Sequence, residues 1–333
     1  MEEVITLDYG SGGKKTSSLI ENILLPAFGN EELSKLGDGA ILQGDNEIVF
    51  STDSFVVNPY FFPGGDIGKL AVCGTVNDIC MSGGVPCYLS LGLIIEEGFP
   101  MEDLKRIVES IKSTCQLCNV KIVTGDTKVV ERGKGDGIYI NTSGIGFLKH
   151  KGLSPLRIKK GDAVIVSGNI GEHGTAVMLS RNSSFMESTV TSDCAPLNRL
   201  TEKLGMFKED IRVLRDPTRG GVATTLNEFV EGGELSIELN EKDIPISKAV
   251  SNVCQVLGLD PMYCANEGKL LAIAAPERAQ EIINQLRSLP EGRNAAIIGR
   301  VTDSHAGRVI MRTDLGGTHV LTKLTGAQLP RIC

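Results

Sequence analysis

The chain has 333 residues, 41% of them hydrophobic and 23% charged, with a net charge of −7 and no tryptophan; that length favours two domains over one core, and an acidic, tryptophan-free chain is a poor candidate for a general nucleic-acid binder, which needs a basic face with stacking aromatics. The longest apolar run near the middle, residues 89–95, is far too short to cross a bilayer, and the acidic start Met1-Glu2-Glu3 leads into no apolar signal segment. Nine cysteines, an odd number scattered through predicted elements, fit a reducing compartment and not a disulfide framework, so a cytoplasmic protein is expected.

Residues 19–28 read as a short helix ended by Gly29-Asn30. Strands are predicted at 40–43 and 47–51 around a Gly44-Asp45-Asn46 turn. Apolar residues at helical spacing predict a helix over 66–81, stopped by Gly83-Gly84. A strand at 88–95 precedes an amphipathic helix at 101–118, which opens after Pro100 with Glu102 and Asp103 in its first turn. Strands at 121–124 and 138–147 complete this half. The basic, proline-containing connector 152–161 is the expected domain boundary. Beyond it the pattern predicts strands at 163–167, 236–239, 270–274, 296–301 and 308–312, with helices from about 174, at 220–231 and at 277–289. Each half mixes strands and helices without strict alternation, which predicts an α+β chain of two mixed domains, 1–152 and 153–324, followed by a flexible tail, 325–333.

Four aspartates sit in similar company. Asp38 lies in Leu-Gly-Asp-Gly-Ala, Asp53 in Ser-Thr-Asp-Ser, Asp78 in Thr-Val-Asn-Asp-Ile and Asp126 in Thr-Gly-Asp-Thr-Lys. Two of them are expected to end apolar strands, where turn chemistry and capping explain an aspartate equally well. Asp78 falls inside an otherwise apolar helix and needs a partner. If several converge, each pair about 4 Å apart repels by roughly 4 kcal/mol at an effective dielectric of 20, and a shared Mg²⁺ with its oxygen preference offsets that. Gly10-Ser11-Gly12-Gly13-Lys14 is not a Walker loop, yet it offers backbone N–H groups and a lysine to a polyphosphate. Asp216-Pro217-Thr218-Arg219-Gly220-Gly221 opens a helix with an arginine and close-approach glycines, which suits an anion or simply a cap. Asn266-Glu267-Gly268 precedes an apolar strand, and Lys128, just past Asp126, can meet a phosphate. Cys115 and Cys118 form a lone C-x-x-C with no second pair for zinc and read as ordinary thiols. The sequence ends Pro330-Arg331-Ile332-Cys333. The stretch from Leu324 can reach roughly 30 Å at about 3.3–3.6 Å per residue, which makes it a tether with a nucleophile at its tip.

These stretches carry a resemblance. Ser-Thr-Asp-Ser-Phe-Val-Val-Asn-Pro at 51–59 and Phe-Phe-Pro-Gly-Gly-Asp-Ile-Gly-Lys-Leu-Ala-Val-Cys-Gly-Thr-Val-Asn-Asp at 61–78 resemble the HypE family of hydrogenase maturation proteins. So do Val-Thr-Gly-Asp-Thr-Lys-Val-Val at 123–130, Asp-Pro-Thr-Arg-Gly-Gly at 216–221, Ala-Asn-Glu-Gly-Lys-Leu at 265–270 and the final Pro-Arg-Ile-Cys. That family stands with the aminoimidazole ribonucleotide synthetase-like ATP-binding proteins, among them selenophosphate synthetase and thiamine-monophosphate kinase. The resemblance implies two α/β domains, with the N-terminal ones pairing into a homodimeric β-barrel.

It also implies an ATP-dependent dehydration of a carbamoyl group on Cys333. The carbamoyltransferase HypF would load the thiol, and the cyanide would pass to the iron of a [NiFe]-hydrogenase on a HypC–HypD scaffold. Asp38, Asp53, Asp78 and Asp126 would then hold Mg²⁺. Gly12, Gly13, Lys14, Thr75, Asn77, Gly125, Thr127 and Asn266 would line the nucleotide site. Lys128 would neutralise the transferring group together with Lys14, and Glu267 is the candidate for proton removal, with no geometry in the sequence to rank it against His173. A selenophosphate synthetase-like phosphotransferase is the enzyme rival, but the expected N-terminal cysteine is missing from Tyr9-Gly10-Ser11-Gly12-Gly13. A non-catalytic thiol carrier is the rival from another class.

Overall fold

The structure is a computed structural model that describes residues 4–6, 9, 18–31, 33–35, 47–181, 189–324 and 332–333. The expected strand at 40–43 and its turn at 44–46 lie outside the described residues.

The N-terminal half is built on strands β1 (Ile48–Phe55), β4 (Gly84–Glu96), β5 (Lys121–Val130) and β6 (Ile138–Leu148), with a small ribbon of β2 (Phe61–Phe62) and β3 (Gly65–Asp66) at its side. The large sheet has the order β1-β6-β4-β5, with β4 and β5 parallel and the other pairs antiparallel. Helices α1 (Ile67–Met81) and α2 (Met101–Cys118) pack on one face. Asp66 starts α1 by accepting the N–H groups of Gly68 (2.8 Å) and Lys69 (3.1 Å), and its other oxygen accepts the Ser110 hydroxyl of α2 at 2.6 Å. One cap thus fixes the start of α1 and its crossing with α2. Helix α2 spans the predicted 101–118, buries Leu104, Ile107, Val108, Ile111 and Cys115 on one stripe, and closes on Asn119 in the left-handed conformation. Helix α1 is buried nearly all round, because the sheet, α2 and the second half of the chain enclose it.

The C-terminal half contains strands β7 (Ala163–Val166), β8 (Ile211–Arg215), β9 (Ser236–Asn240), β10 (Leu271–Ala274), β11 (Ala296–Thr302), β12 (Val309–Arg312) and β13 (Thr318–Leu321). They form one sheet in the order β13-β12-β9-β11-β7-β10-β8, antiparallel except for β12 on β9. Its helices are α3 (Glu172–Arg181), α4 (Asn198–Leu204), α5 (Gly221–Val230), α6 (Lys248–Leu257) and α7 (Ala279–Arg287). β7 and β10 are buried at every residue, so both faces of the sheet are covered. One apolar core runs from α1 through α4 and α7 and includes Ile332 from the far end of the sequence.

Three strands run further than their sequence predicts, β4 by starting at Gly84. β1 continues to Phe55 and β5 to Val130, so Asp53 and Asp126 lie within strands and do not end them. The pattern misses the short elements β2, β3, α4, β8 and β13, and also the ten-residue α6. No helix among the described residues is long and apolar enough to cross a membrane.

Candidate active site

The site lies where the two halves meet. β1 lays Asp53 against α1, and the approach is close: a Cβ on Gly74 would stand 2.8 Å and 2.9 Å from the Phe55 ring and 3.7 Å from an Asp53 oxygen. Asp78, one turn further along α1, accepts the Ser51 hydroxyl at 2.7 Å, which supplies the partner its mid-helix position requires. β8 then delivers Asp216 to the same place. Burial raises the pKa values of Asp53 and Asp78, and the charge of Asp53 adds to the rise at Asp78. Asp216 is pushed up to about 7, first by burial and then by the charges of Asp78 and Asp53. These three carboxyl groups feel one another, but no three metal-ligating side chains form a ready-made cage among the described residues.

Glu267 faces this cluster from the loop before β10. Its carboxyl is buried, the oxygen Oε1 has no hydrogen-bond partner, and its pKa is raised by burial and then by the nearby Cys194, Asp216, Asp193 and Asp53. The loop itself is fixed by Asp193, which accepts the N–H groups of Glu267 (3.2 Å) and Gly268 (3.3 Å) and pairs with the buried Lys269 ammonium at 3.4 Å. Gly268 has to be glycine, since a Cβ there would lie 1.9 Å from the Asp193 carbonyl oxygen.

Cys333 completes the group. The Val56 N–H donates to a main-chain oxygen of Cys333 at 3.1 Å, His173 Nε2 lies 2.6 Å from the Ile332 carbonyl oxygen, and the Ile332 side chain is buried. Burial drives the Cys333 thiol up to about 12; the negative charges of Glu267 and Asp53 add to this, while Arg219 opposes it. The two described residues of the expected flexible tail are therefore docked, and 325–331 lie outside the described residues.

The other predicted residues fall elsewhere. Thr75 is buried with its hydroxyl 2.6 Å from that of Thr142, a contact between α1 and β6. Asn77 receives the Leu197 N–H at 2.8 Å and donates to the carbonyl oxygens of Ala195 and Glu267. Asn266 accepts the Gly171 N–H at 2.7 Å and donates to the carbonyls of Pro217 and Cys264. The side-chain polar atoms of these three residues join chain segments in this structure. Asp126 and Lys128 pair with each other at 2.6 Å on β5, exposed, with Gly125 and Thr127 beside them along a cleft under Leu24 and Phe28. β5 is three strands from β1, about 14 Å at 4.8 Å per step, so Asp126 does not join Asp53 and Asp78 within one chain. Gly12, Gly13, Lys14 and Asp38 lie outside the described residues.

Sequence reasoning missed Asp216 as a partner of the other aspartates, although it named the motif. It missed Ser192 and Asp193 entirely, because isolated loop residues give no periodic signal, and it quoted Lys269 within a motif without giving it a role. The Asp193–Lys269 pair yields a test. Lys269→Met should destabilise the fold by about 3–5 kcal/mol, the penalty for leaving a buried charge unpaired, read as a lower urea midpoint. Adding Asp193→Asn should recover part of it. A loss below about 1 kcal/mol, typical of a surface pair, would contradict the assignment.

Comparison with known proteins agrees with this geometry. Residues 36–148 match the N-terminal domain of AIR synthase related proteins and residues 159–312 their C-terminal domain. Carbamoyl dehydratase HypE of Azotobacter vinelandii is 45% identical, with 99% of this chain and 97% of that protein aligned. A crystal structure of the hydrogenase maturation protein HypE in complex with ATP superimposes with a TM-score of 0.95 at 47% identity, covering 98% of this chain and 99% of the other. HypE from a HypE–HypF complex superimposes with a TM-score of 0.80 at 46% identity, covering 92% and 100%. The chain belongs to the HypE family of AIR synthase related proteins.

Proposed function

We propose that this chain dehydrates a carbamoyl group carried on the Cys333 thiol at the expense of ATP, turning an S-carboxamide into an S-cyanate that supplies cyanide to the iron of a [NiFe]-hydrogenase. The observation that carries the reading is Cys333 docked where the charges of Glu267 and Asp53 bear on its thiol, with Glu267 buried, its Oε1 unpartnered, and Asp216 crowded by Asp53 and Asp78. Relatives named carbamoyl dehydratase, a relative solved with ATP and one solved with HypF support the reaction, its co-substrate and its carbamoyl donor. A HypC–HypD scaffold is the acceptor in this reading, and the tail, 325–333, carries the thiol between partners and the seam of domains 1–152 and 153–324.

The balance is thiol-bound carboxamide plus ATP giving thiocyanate, ADP and phosphate. The carboxamide oxygen takes the γ-phosphoryl group and leaves as phosphate, while nitrogen gives up two protons. Glu267 is the proton acceptor, and its burial makes the ionised form a strong base. Arg219, at the N-terminal end of α5, favours a phosphate there. The crowded, oxygen-only donor set fits Mg²⁺: Asp53, Asp78 and Asp216 would hold it, with Asp38 as a further ligand. Bound Mg²⁺ would supply charge neutralisation for the polyphosphate.

With HypF, carbamoyl phosphate and ATP, peptide mass mapping should find a carbamoyl group and then its dehydrated form on Cys333. Cys333→Ala should show neither, and Asp216→Asn should keep the first and lose the second. An adduct on another cysteine, or parental conversion by Asp216→Asn, would sink the reading.

A homodimer belongs to the same proposal. The face of the N-terminal sheet away from α1 and α2 carries cross-strand rows Ile48–Phe147–Val85 and Phe50–Ile145–Tyr88, with Phe50 64% and Ile48 56% exposed. β1 and β5 have open edges among the described residues. A second copy covers such a face and such edges, and it gives Asp126 and Lys128 a route to the aspartates of another chain. Sedimentation at micromolar concentration should give twice the chain mass, and a single-chain mass would overturn the pairing.

A further inference from the structure

We infer that His173 and Ser192 form a latch on the main chain of the tail, a pair of positioning residues that holds Cys333 in the seam through the Ile332 carbonyl. The inference deepens the proposed function, on which its purpose rests, but the contacts stand by themselves. His173 is completely buried at the start of α3, with Phe62 edge-on at 5.3 Å. A carbonyl oxygen only accepts, so the hydrogen in the 2.6 Å contact with Ile332 belongs to Nε2. Burial disfavours a second ring proton, which leaves Nδ1 to accept the Ser192 hydroxyl at 2.8 Å.

Ser192 is itself fixed. Its oxygen receives the Cys194 N–H at 3.0 Å, and its own N–H donates to the Pro63 carbonyl at 2.7 Å. The segment around Ser192 therefore orients the hydroxyl, the hydroxyl sets the tautomer, and the tautomer presents a donor to the tail. The neighbouring Asp193 holds the Glu267 turn, so one short segment positions the docked thiol and the carboxyl facing it. Val56 makes a second grip, on a main-chain oxygen of Cys333. Both grips take main-chain atoms. They are indifferent to whether sulfur carries hydrogen, a carboxamide or a cyanate, as a carrier that docks in several chemical states requires. Two hydrogen bonds hold firmly enough to dock and weakly enough to release.

Alkylation of the whole chain by iodoacetamide, without nucleotide or partner, tests the latch. Thiolate is the reacting form, and the docked Cys333 thiol is held un-ionised, so its alkylation rate reports release. The half-buried Cys87 serves as an internal reference in the same mass map. His173→Ala should raise the Cys333 rate roughly tenfold relative to Cys87, and His173→Gln, whose amide nitrogen can replace Nε2–H, should stay within about twofold of the parent. If His173→Ala does not fold by near-ultraviolet dichroism, Ser192→Ala should still raise the rate several-fold. A folded His173→Ala or Ser192→Ala alkylating at the parental rate, or His173→Gln behaving like His173→Ala, would overturn the latch. Carbamoyl loading by HypF is read separately: a Cys333 that never loads, with the alkylation pattern as expected, would sink the proposed function and leave the latch standing.

Discussion

Carboxyl groups crowded where solvent is scarce are the constraint that the rest of this molecule accommodates. Asp53, Asp78, Asp216 and Glu267 come from β1, α1, the end of β8 and the loop before β10, and burial raises the pKa of each. Nothing in the packing alone favours such an arrangement, since each charge brought in makes the next more costly. The two halves of the chain nevertheless share a continuous apolar core that holds these elements together. The crowding is balanced by a cation or by protonation, and in the proposed reaction the Glu267 carboxylate, made more basic by burial, is the base that removal of two weakly acidic N–H protons calls for.

A separate network keeps the cluster in order. Asn77 and Asn266 bridge segments far apart in sequence, and Asp193 with Lys269 fixes the turn that carries Glu267. His173 reaches across to the Ile332 carbonyl, so the docked end of the sequence is read by its backbone. The residues that hold these segments in place are thus a different set from the crowded carboxyl groups.

Much of the fold was legible because its signals are local. Helix α2 is bounded as its pattern requires: Pro100 opens it, apolar residues recur on one face, and Asn119 closes it. β1 and β5 run longer than expected because their outward residues, Thr52, Ser54, Asp126 and Lys128, are polar and mask the period. The aspartate motifs were legible as residues but not as partners. Asp53 and Asp78 meet, Asp126 lies three strands away, and Asp216 takes a place that reading it as a cap concealed. Thr75, Asn77 and Asn266 sit in the right motifs yet spend their polar atoms on the scaffold. Ser192 and Asp193 gave no warning, since their partners are side chains and loops distant in sequence.

The central claim is that the buried Glu267 carboxyl acts on whatever the Cys333 sulfur carries. Single-turnover dehydration of chain pre-loaded with the carbamoyl group, in a Glu267→Gln variant, tests it most directly, because glutamine keeps the shape and cannot take a proton. The account predicts that the variant loads normally and that its carbamoyl adduct persists when ATP and Mg²⁺ are added. Conversion to the cyanated form at the parental rate would contradict it.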